Sequence, residues 1–205
     1  SAICLLSPAS EPEYSSQVMG ATIRMTRPNQ CRLLEEHLRY DNAEQEVLRL
    51  FHEADRKLSE WKEDSPISKL NARAGIGAVE LPEFVFKSVE QAIQVASMTE
   101  GAFDPTWAAL WSAWDFDTPS MPTEEEISDQ LPLVNWERVE LSGQSIFLPQ
   151  KGMLLGLGGI AKGVALDRAR DALQQLDIDN FMIVAGGQVL VQGTNDGLPW
   201  KIGIR

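Results

Sequence analysis

Between Val18 and Thr26 apolar and polar residues alternate, with Met19, Ala21, Ile23 and Met25 on one face, the period of a strand. The period changes further on. From Ala43 to Leu58, apolar Val47, Leu50, Phe51, Ala54 and Leu58 recur at helical spacing. Pro66, in "EDSPISKLN", ends that helix, because its ring occupies the place of the missing N–H and clashes with the preceding turn. Residues 83–98 predict a second amphipathic helix with Val85, Val89, Ala92, Ile93 and Ala96 inward.

The stretch "GAFDPTWAALWSAWDFD" then concentrates aromatic residues: Trp107, Trp111 and Trp114 lie between Phe103 and Phe116. An acidic surface segment follows, "PSMPTEEEISDQLP", with a short helix expected to start at Thr123, capped by its hydroxyl and closed by Glu126. Residues 138–148 predict a hairpin with its turn at Ser142–Gly143. "GMLLGL" reads as a short buried strand, and "KGVALDRARDALQQL" as a helix with the stripe Ala165, Leu166, Ala169, Leu173 and Leu176. "NFMIVAGGQVLVQG" reads as a strand interrupted by Gly186 and Gly187, and "PWKIGIR" as a last strand. Strands and helices do not alternate strictly. The predicted class is therefore α+β, with mixed or antiparallel sheets and packed helices, rather than a doubly wound sheet. Residues 1–16 form an expected flexible arm, and 17–205 one domain without an internal linker.

Charge and cysteine content narrow the function. A net charge of -12 argues against a nucleic-acid surface, which needs clustered Lys and Arg. The longest apolar runs are too short for a membrane span. Cys4 and Cys31 do not make a disulfide scaffold. The chain starts with Ser, which points to a segment upstream, and Cys4 precedes the polar stretch "SPASEPEYSS". Two readings stand side by side there: a lipid-modified cysteine of a secreted bacterial protein, and a free thiol in a frayed terminus.

The candidate chemistry lies in "LLGLGGIAKGVALD", where glycine stands at 156, 158, 159 and 163 beside Lys162. A Walker loop fails, because Ala161 precedes the lysine and Gly163 follows it. The run Gly156 to Ala161 fits G-x-G-x-x-G/A, but the next strand ends in glycine where an acidic residue should stand. Close packing of helix and strand is the bland explanation of the same glycines. The physical case for a ligand is that a helix begins near Gly163. Its unpaired N–H groups favour an anion, glycine leaves room for a pyrophosphate, and Lys162 adds a full charge.

With these residues in view, "LGGIAKGVALDRA" resembles the D-L-G-G-I-A-K-G-Y-A-V-D signature of the ApbE family of flavin transferases. "MGATIRM" is similar to its opening M-G-T strand, and "LSEWKEDSPISKLN" to S-T-Y-x-x-x-S-E-I-S-x-L-N. "GAFDPTWAALWSAWDF" is similar to G-A-F-D-P-T-V-x-P-L-x-x-L-W-G-F, "VAGGQVLVQG" to N-A-G-G-D-I-x-x-x-G, and "LPWKIGIR" to P-W-x-V-G-I. The resemblance implies an ApbE-like architecture related to the T-fold. It implies an enzyme that binds FAD and Mg²⁺, attaches FMN to a Thr or Ser of a target redox protein, and releases AMP. FAD hydrolysis to FMN and AMP, and an inactive FAD-binding scaffold, are the alternatives; a pyridine-nucleotide dehydrogenase is a distant third. A location on the periplasmic side of a bacterial envelope is implied, with membrane attachment through an N-terminal lipid only.

Carried over position by position, the resemblance gives cofactor-binding roles to Met19, Trp61, Ala102, Phe103, Asp104, Gly156, Lys162 and Gly187. Main-chain atoms of Gly159 and Ala161 would approach the metal, Gly186 would let backbone approach the ligand, and Asp167 would act from behind. Each has a plain counterpart: a core methionine, a half-buried surface tryptophan, an Asp-Pro turn, a dipole-matching aspartate. Gly156 and Gln188 replace family aspartates. The family's H-I-x-D-P-x-T-G segment, with the Asp and Thr that hold the metal, is expected downstream of Arg205, and with it the catalytic residues.

Overall fold

A computed structural model describes residues 15–28, 34–114 and 121–203. The arm through residue 14 with Cys4, and also Cys31, Phe116 and the last two residues, lie outside that description. The chain divides into two compact units, residues 1–52 with 165–205 and residues 53–164. Both sheets are antiparallel, so the class is α+β.

The first unit holds β1 (Ser15–Val18), β2 (Ala21–Thr26), β6 (Phe181–Ala185) and β7 (Gln188–Gln192) in the order β1-β2-β6-β7. β1 starts inside the expected arm, and Met19 is not on a strand face. Met19 and Gly20 form the two-residue turn between β1 and β2, with φ of 56° and 66°. Positive φ at both central positions matches the right-handed twist of a hairpin, and Gly20 meets it without strain. Ile23 and Met25 are buried with Arg24 exposed between them, and Phe181, Ile183 and Ala185 are buried on β6. Gly186 and Gly187 do not interrupt one strand; they turn it back, with Ala185 opposite Gln188. "PWKIGIR" is not a strand over its described residues. Trp200 Nε1 instead donates to the Gln192 carbonyl at 3.0 Å.

The helix α1 (Leu34–Leu58) begins well before Ala43, on a polar first turn with Glu35 and Glu36 matching the helix dipole. Its predicted stripe is buried throughout, from Ala43 to Leu58. The helix α5 (Ala161–Gln175) buries Val164, Ala165, Leu166, Ala169 and Leu173, whereas Leu176 lies beyond its end and is exposed.

The second unit contains α2 (Pro66–Asn71), α3 (Glu83–Met98), α4 (Glu124–Gln130) and a small sheet, β3 (Val79–Glu80), β5 (Ser145–Phe147) and β4 (Glu140–Ser142). On α3, Phe86 takes a buried position while Ile93 is only half-buried. Thr123 and Glu126 form both bonds of the capping box. The hairpin turn lies at Gly143–Gln144, one residue later than expected, because Ser142 already pairs with Ser145. β3, which pairs with β5, escaped the sequence reading, being only two residues long.

"GMLLGL" is buried but is not a strand. Met153, Leu155 and Leu157 are inside the core. The side-chain amide of Asn71 donates to the Leu155 carbonyl at 3.0 Å and accepts from its N–H at 2.8 Å. One side chain thus supplies what a neighbouring strand would, and no buried backbone group of Leu155 is left unmade.

Candidate functional site

Two glycines of the loop, Gly156 and Gly159, sit against neighbours that a side chain would crowd. A Cβ on Gly156 would lie 3.0 Å from Ala108 Cβ and 3.2 Å from Trp111 Cη2, and the Gly156 N–H donates to the Pro105 carbonyl at 2.8 Å. A Cβ on Gly159 would lie 3.0 Å from Phe103 Cε2. Gly156 is buried, but Gly158 and Gly159 are exposed. The chain therefore dives against the 3₁₀ segment Pro105–Ala113 and resurfaces with bare main chain.

Three tryptophans rim this point. Trp61 stacks on Trp111 with ring centroids 4.2 Å apart and planes at 22°, and Trp107 meets Trp111 edge-on at 5.0 Å and 88°. Trp61 is 65% exposed and Trp107 41% exposed. The Trp111 indole N–H is buried without an acceptor among the described residues. Trp61 is held by its neighbours in the chain. The Glu60 carbonyl accepts from Ser68 Oγ at 2.9 Å, and Lys62 pairs with Asp55 at 2.6 Å.

The N-terminus of α5 supplies donors. Ile160 and Ala161 both donate to the Leu157 carbonyl, and Val164 donates to Ile160. The amides of Gly159, Lys162 and Gly163 find no acceptor among the described residues. Lys162 is half-buried and makes no ion pair with another described residue. Bare amides, the positive end of the helix and one ammonium group make an anion the fitting guest.

Burial raises the pKa of Glu60, and backbone N–H groups of Glu60 itself, Leu157 and Gly158 oppose that rise. Its carboxylate thus sits on the loop, with Oε1 3.5 Å from where a Gly158 Cβ would be.

Of the residues singled out from the sequence, the second unit gathers Trp61, Phe103, Gly156, Gly159, Ala161 and Lys162 around this loop. Ala102 lies in the turn after α3, its N–H on the Thr99 carbonyl at 3.0 Å. Asp104 is occupied by the protein. Its Oδ1 accepts from the Thr106 N–H and hydroxyl at 2.8 and 2.6 Å, and its Oδ2 from the Trp136 N–H at 3.2 Å. It borders a cleft shared with Glu100 and Glu137, whose charge is the wrong sign for phosphate.

Met19 and Gly187 lie in the first unit. The register Ile23 to Ala185, and the Gly186 N–H on the Thr22 carbonyl at 3.0 Å, bring the Met19–Gly20 and Gly186–Gly187 turns to one end of its sheet. A Cβ on Gly186 would lie 3.1 Å from Ala21 Cβ, whereas one on Gly187 would meet nothing. Gln188 starts β7 in an exposed position, and Asp167 pairs with Arg170 at 3.2 Å.

A divalent cation fits these residues poorly. Gly159 and Ala161 offer only carbonyl oxygens, and a hard cation needs six or so oxygen ligands, carboxylates among them. No group of three or more His, Cys, Asp or Glu among the described residues could hold an ion. The sequence reading missed Glu60 and the pair Trp107 and Trp111. The tryptophans carried a signal, four residues apart in an aromatic run; the reach of Glu60 to the loop left none.

The sequence profile of the ApbE family matches residues 19–205. The chain is 28% identical over 202 residues to an FAD:protein FMN transferase of Vibrio cholerae, covering 96% of this chain and 59% of the relative. It is 28% identical over 176 residues to an FAD:protein FMN transferase of Haemophilus influenzae, covering 80% and 50%. The crystal structure of the ApbE protein of Thermotoga maritima superposes with a TM-score of 0.83 at 28% identity, over 94% of this chain and 62% of that one. The flavin transferase ApbE of Vibrio cholerae gives 0.83 at 27%, over 94% and 62%. The chain thus spans between half and two thirds of the length of these relatives.

Proposed function

The chain belongs to the ApbE family, and from that premise we propose that its glycine loop receives the pyrophosphate of FAD in an enzyme that transfers FMN to a protein. The acceptor is a redox protein that presents a Thr or Ser hydroxyl. That oxygen bonds to the FMN phosphorus, the bond from phosphorus to the bridging oxygen breaks, AMP leaves with that oxygen, and the hydroxyl proton passes to solvent. Such transfers depend on positioning and charge stabilisation more than on covalent help from the protein.

The observation that carries the reading is the set of unpaired amides at Gly159, Lys162 and Gly163 beside the Lys162 ammonium group. In the proposed role these amides take phosphate oxygens and Lys162 balances their charge. Trp61 and Trp107 offer faces to a ring and keep water from one side. Asp104 acts through its hold on Thr106 and Trp136, fixing the 3₁₀ segment on which Gly156 rests. Mg²⁺ belongs to the proposal as a co-substrate ion, and no step is derived through it. A periplasmic location with a lipid on Cys4 completes it, supported by the Ser- and Pro-rich residues that follow Cys4.

The whole protein with FAD, Mg²⁺ and a Thr-bearing acceptor should yield a covalently fluorescent acceptor and one AMP per flavin attached. FAD consumption that gives free FMN without acceptor would replace transfer by hydrolysis. A second reading, FAD binding without turnover, is favoured by Gly156. Where the family pattern has Asp, even a Cβ would crowd Ala108 and Trp111, at 3.0 and 3.2 Å. FAD binding with neither AMP nor FMN released would establish that reading instead.

A further inference from the structure

The turn that follows α2 holds an apolar side chain out to solvent. Ile76, between Gly75 and Gly77, is 65% exposed. Its backbone is fastened on both sides. The Gly75 N–H donates to the Leu148 carbonyl at 2.8 Å, and the Ile76 N–H to the Arg73 carbonyl at 2.9 Å. At Gly75 the chain passes so close to Lys151 that an added Cβ would lie 2.6 Å from its backbone nitrogen. Ile76 therefore projects from a loop pinned to the chain that follows β5.

Cations converge on the same turn. Arg73 Nη2 lies 3.5 Å from where a Gly77 Cβ would be, and Lys151 Cβ lies 3.1 Å from the corresponding point at Gly75. Lys69 stands four residues before Arg73, in the last turn of α2. The Arg138 guanidinium donates to the side chain of Gln150, the residue before Lys151. All four cations are exposed, and none makes an ion pair with a described residue. Glu137, next to Arg138, lines the cleft with Glu100 instead. In a chain of 18 basic and 30 acidic residues, this turn is a local reversal of charge.

We propose that the Gly75–Gly77 turn is a docking point for an anionic lipid surface, with Ile76 entering the headgroup boundary and Lys69, Arg73, Arg138 and Lys151 meeting lipid phosphates. None of these residues has a part in the proposed flavin chemistry. The charge complementarity survives the acidity of the whole chain. At physiological salt the Debye length is about 8 Å, so a surface that faces the turn feels these cations and not the acids farther away. An acidic protein would also satisfy the cations, but it would need a pocket shaped for Ile76. A lipid interface takes a protruding apolar side chain without one, and basic residues around it add attraction to the anionic headgroups.

The test uses the full chain with Cys4 unacylated, so that no lipid of its own can carry it to a membrane. It should co-sediment with vesicles of equal parts phosphatidylglycerol and phosphatidylcholine, and not with vesicles of phosphatidylcholine alone. Arg73→Gln and Lys151→Gln should each weaken that binding about fivefold, the worth of one cation near a charged surface. Ile76→Ser should weaken it roughly tenfold, because the inserted apolar area is lost. The three side chains are exposed, so the denaturant midpoints of the variants should stay at the wild-type value. A companion measurement needs no variant: spin-labelled lipid in the vesicles should broaden the Ile76 methyl resonances of the wild-type protein. Absence of binding to the anionic vesicles, equal binding by wild type and all three variants, or an Ile76 signal that stays sharp while vesicles bind overturns the proposal. Capture by polyglutamate beads with no binding to vesicles overturns the lipid partner in favour of an acidic protein.

Discussion

Gly156 and Gly163 belong to one motif and answer to different forces. At Gly156 an added Cβ meets Ala108 at 3.0 Å and the Trp111 ring at 3.2 Å. Gly156→Ala should therefore overpack the site, lowering stability by about 1–3 kcal/mol, read from the denaturant midpoint, and should disturb the fluorescence of the Trp61–Trp111 stack. At Gly163 an added Cβ meets nothing, and the residue lies in the first turn of α5. Gly163→Ala should raise stability by about 0.5–1 kcal/mol. A loss of stability at Gly163 would contradict the space found there. Lys162 stands between these two glycines, unpaired among the described residues, and its removal touches function. Lys162→Ala should weaken FAD binding by about 1.5–3 kcal/mol, the worth of a charged hydrogen bond, with the denaturant midpoint little changed.

At the scale of elements, helices were more legible in the sequence than strands. The stripes of α1, α3 and α5 repeat over several turns, so their buried faces were legible even where an end was misplaced. The α4 start was legible to the residue, because Thr123 and Glu126 carry their chemistry locally. The same cap yields a pH prediction. Backbone and then side-chain bonding from Thr123 hold the Glu126 carboxyl below its ordinary value. A lowered folded value stabilises above the unfolded value and is lost as pH falls through the folded one. Amide exchange in the first turn of α4 should therefore quicken, relative to its intrinsic rate, as the solution is acidified below the ordinary carboxylate range. In Glu126→Gln that extra opening should be absent. The segment 152–157 misled because its alternation is real but its partner is a side chain. Asn71→Ala strips both bonds from Leu155 and should cost about 1–3 kcal/mol for each buried group left unsatisfied, measured by thermal or denaturant unfolding. No pattern in the sequence marks a side chain that replaces a strand.

For the whole molecule, the glycines and Lys162 announced an anion site locally, whereas the approach of Glu60 to Gly158 and the tryptophan rim depend on contacts across roughly fifty to a hundred residues of chain, which periodicity cannot carry. Charge joins these scales. The protein carries a net charge of -12, and its proposed ligand is an anion. At low salt the summed field should repel FAD during approach, while the amides and Lys162 act only at contact. The Debye length falls from about 30 Å at 0.01 M salt to about 10 Å at 0.1 M. Screening over that range removes the distant repulsion and spares the short contacts. The association rate of FAD, followed by stopped-flow quenching of tryptophan fluorescence, should therefore rise with salt across that range, while the dissociation rate changes less. Steering by a locally positive cleft predicts the reverse, a rate that falls steeply as salt is added. A falling rate would mean that the field felt by the ligand is that of Lys162 and the α5 terminus even at long range, and that the acidic surface elsewhere on the chain does not reach its path.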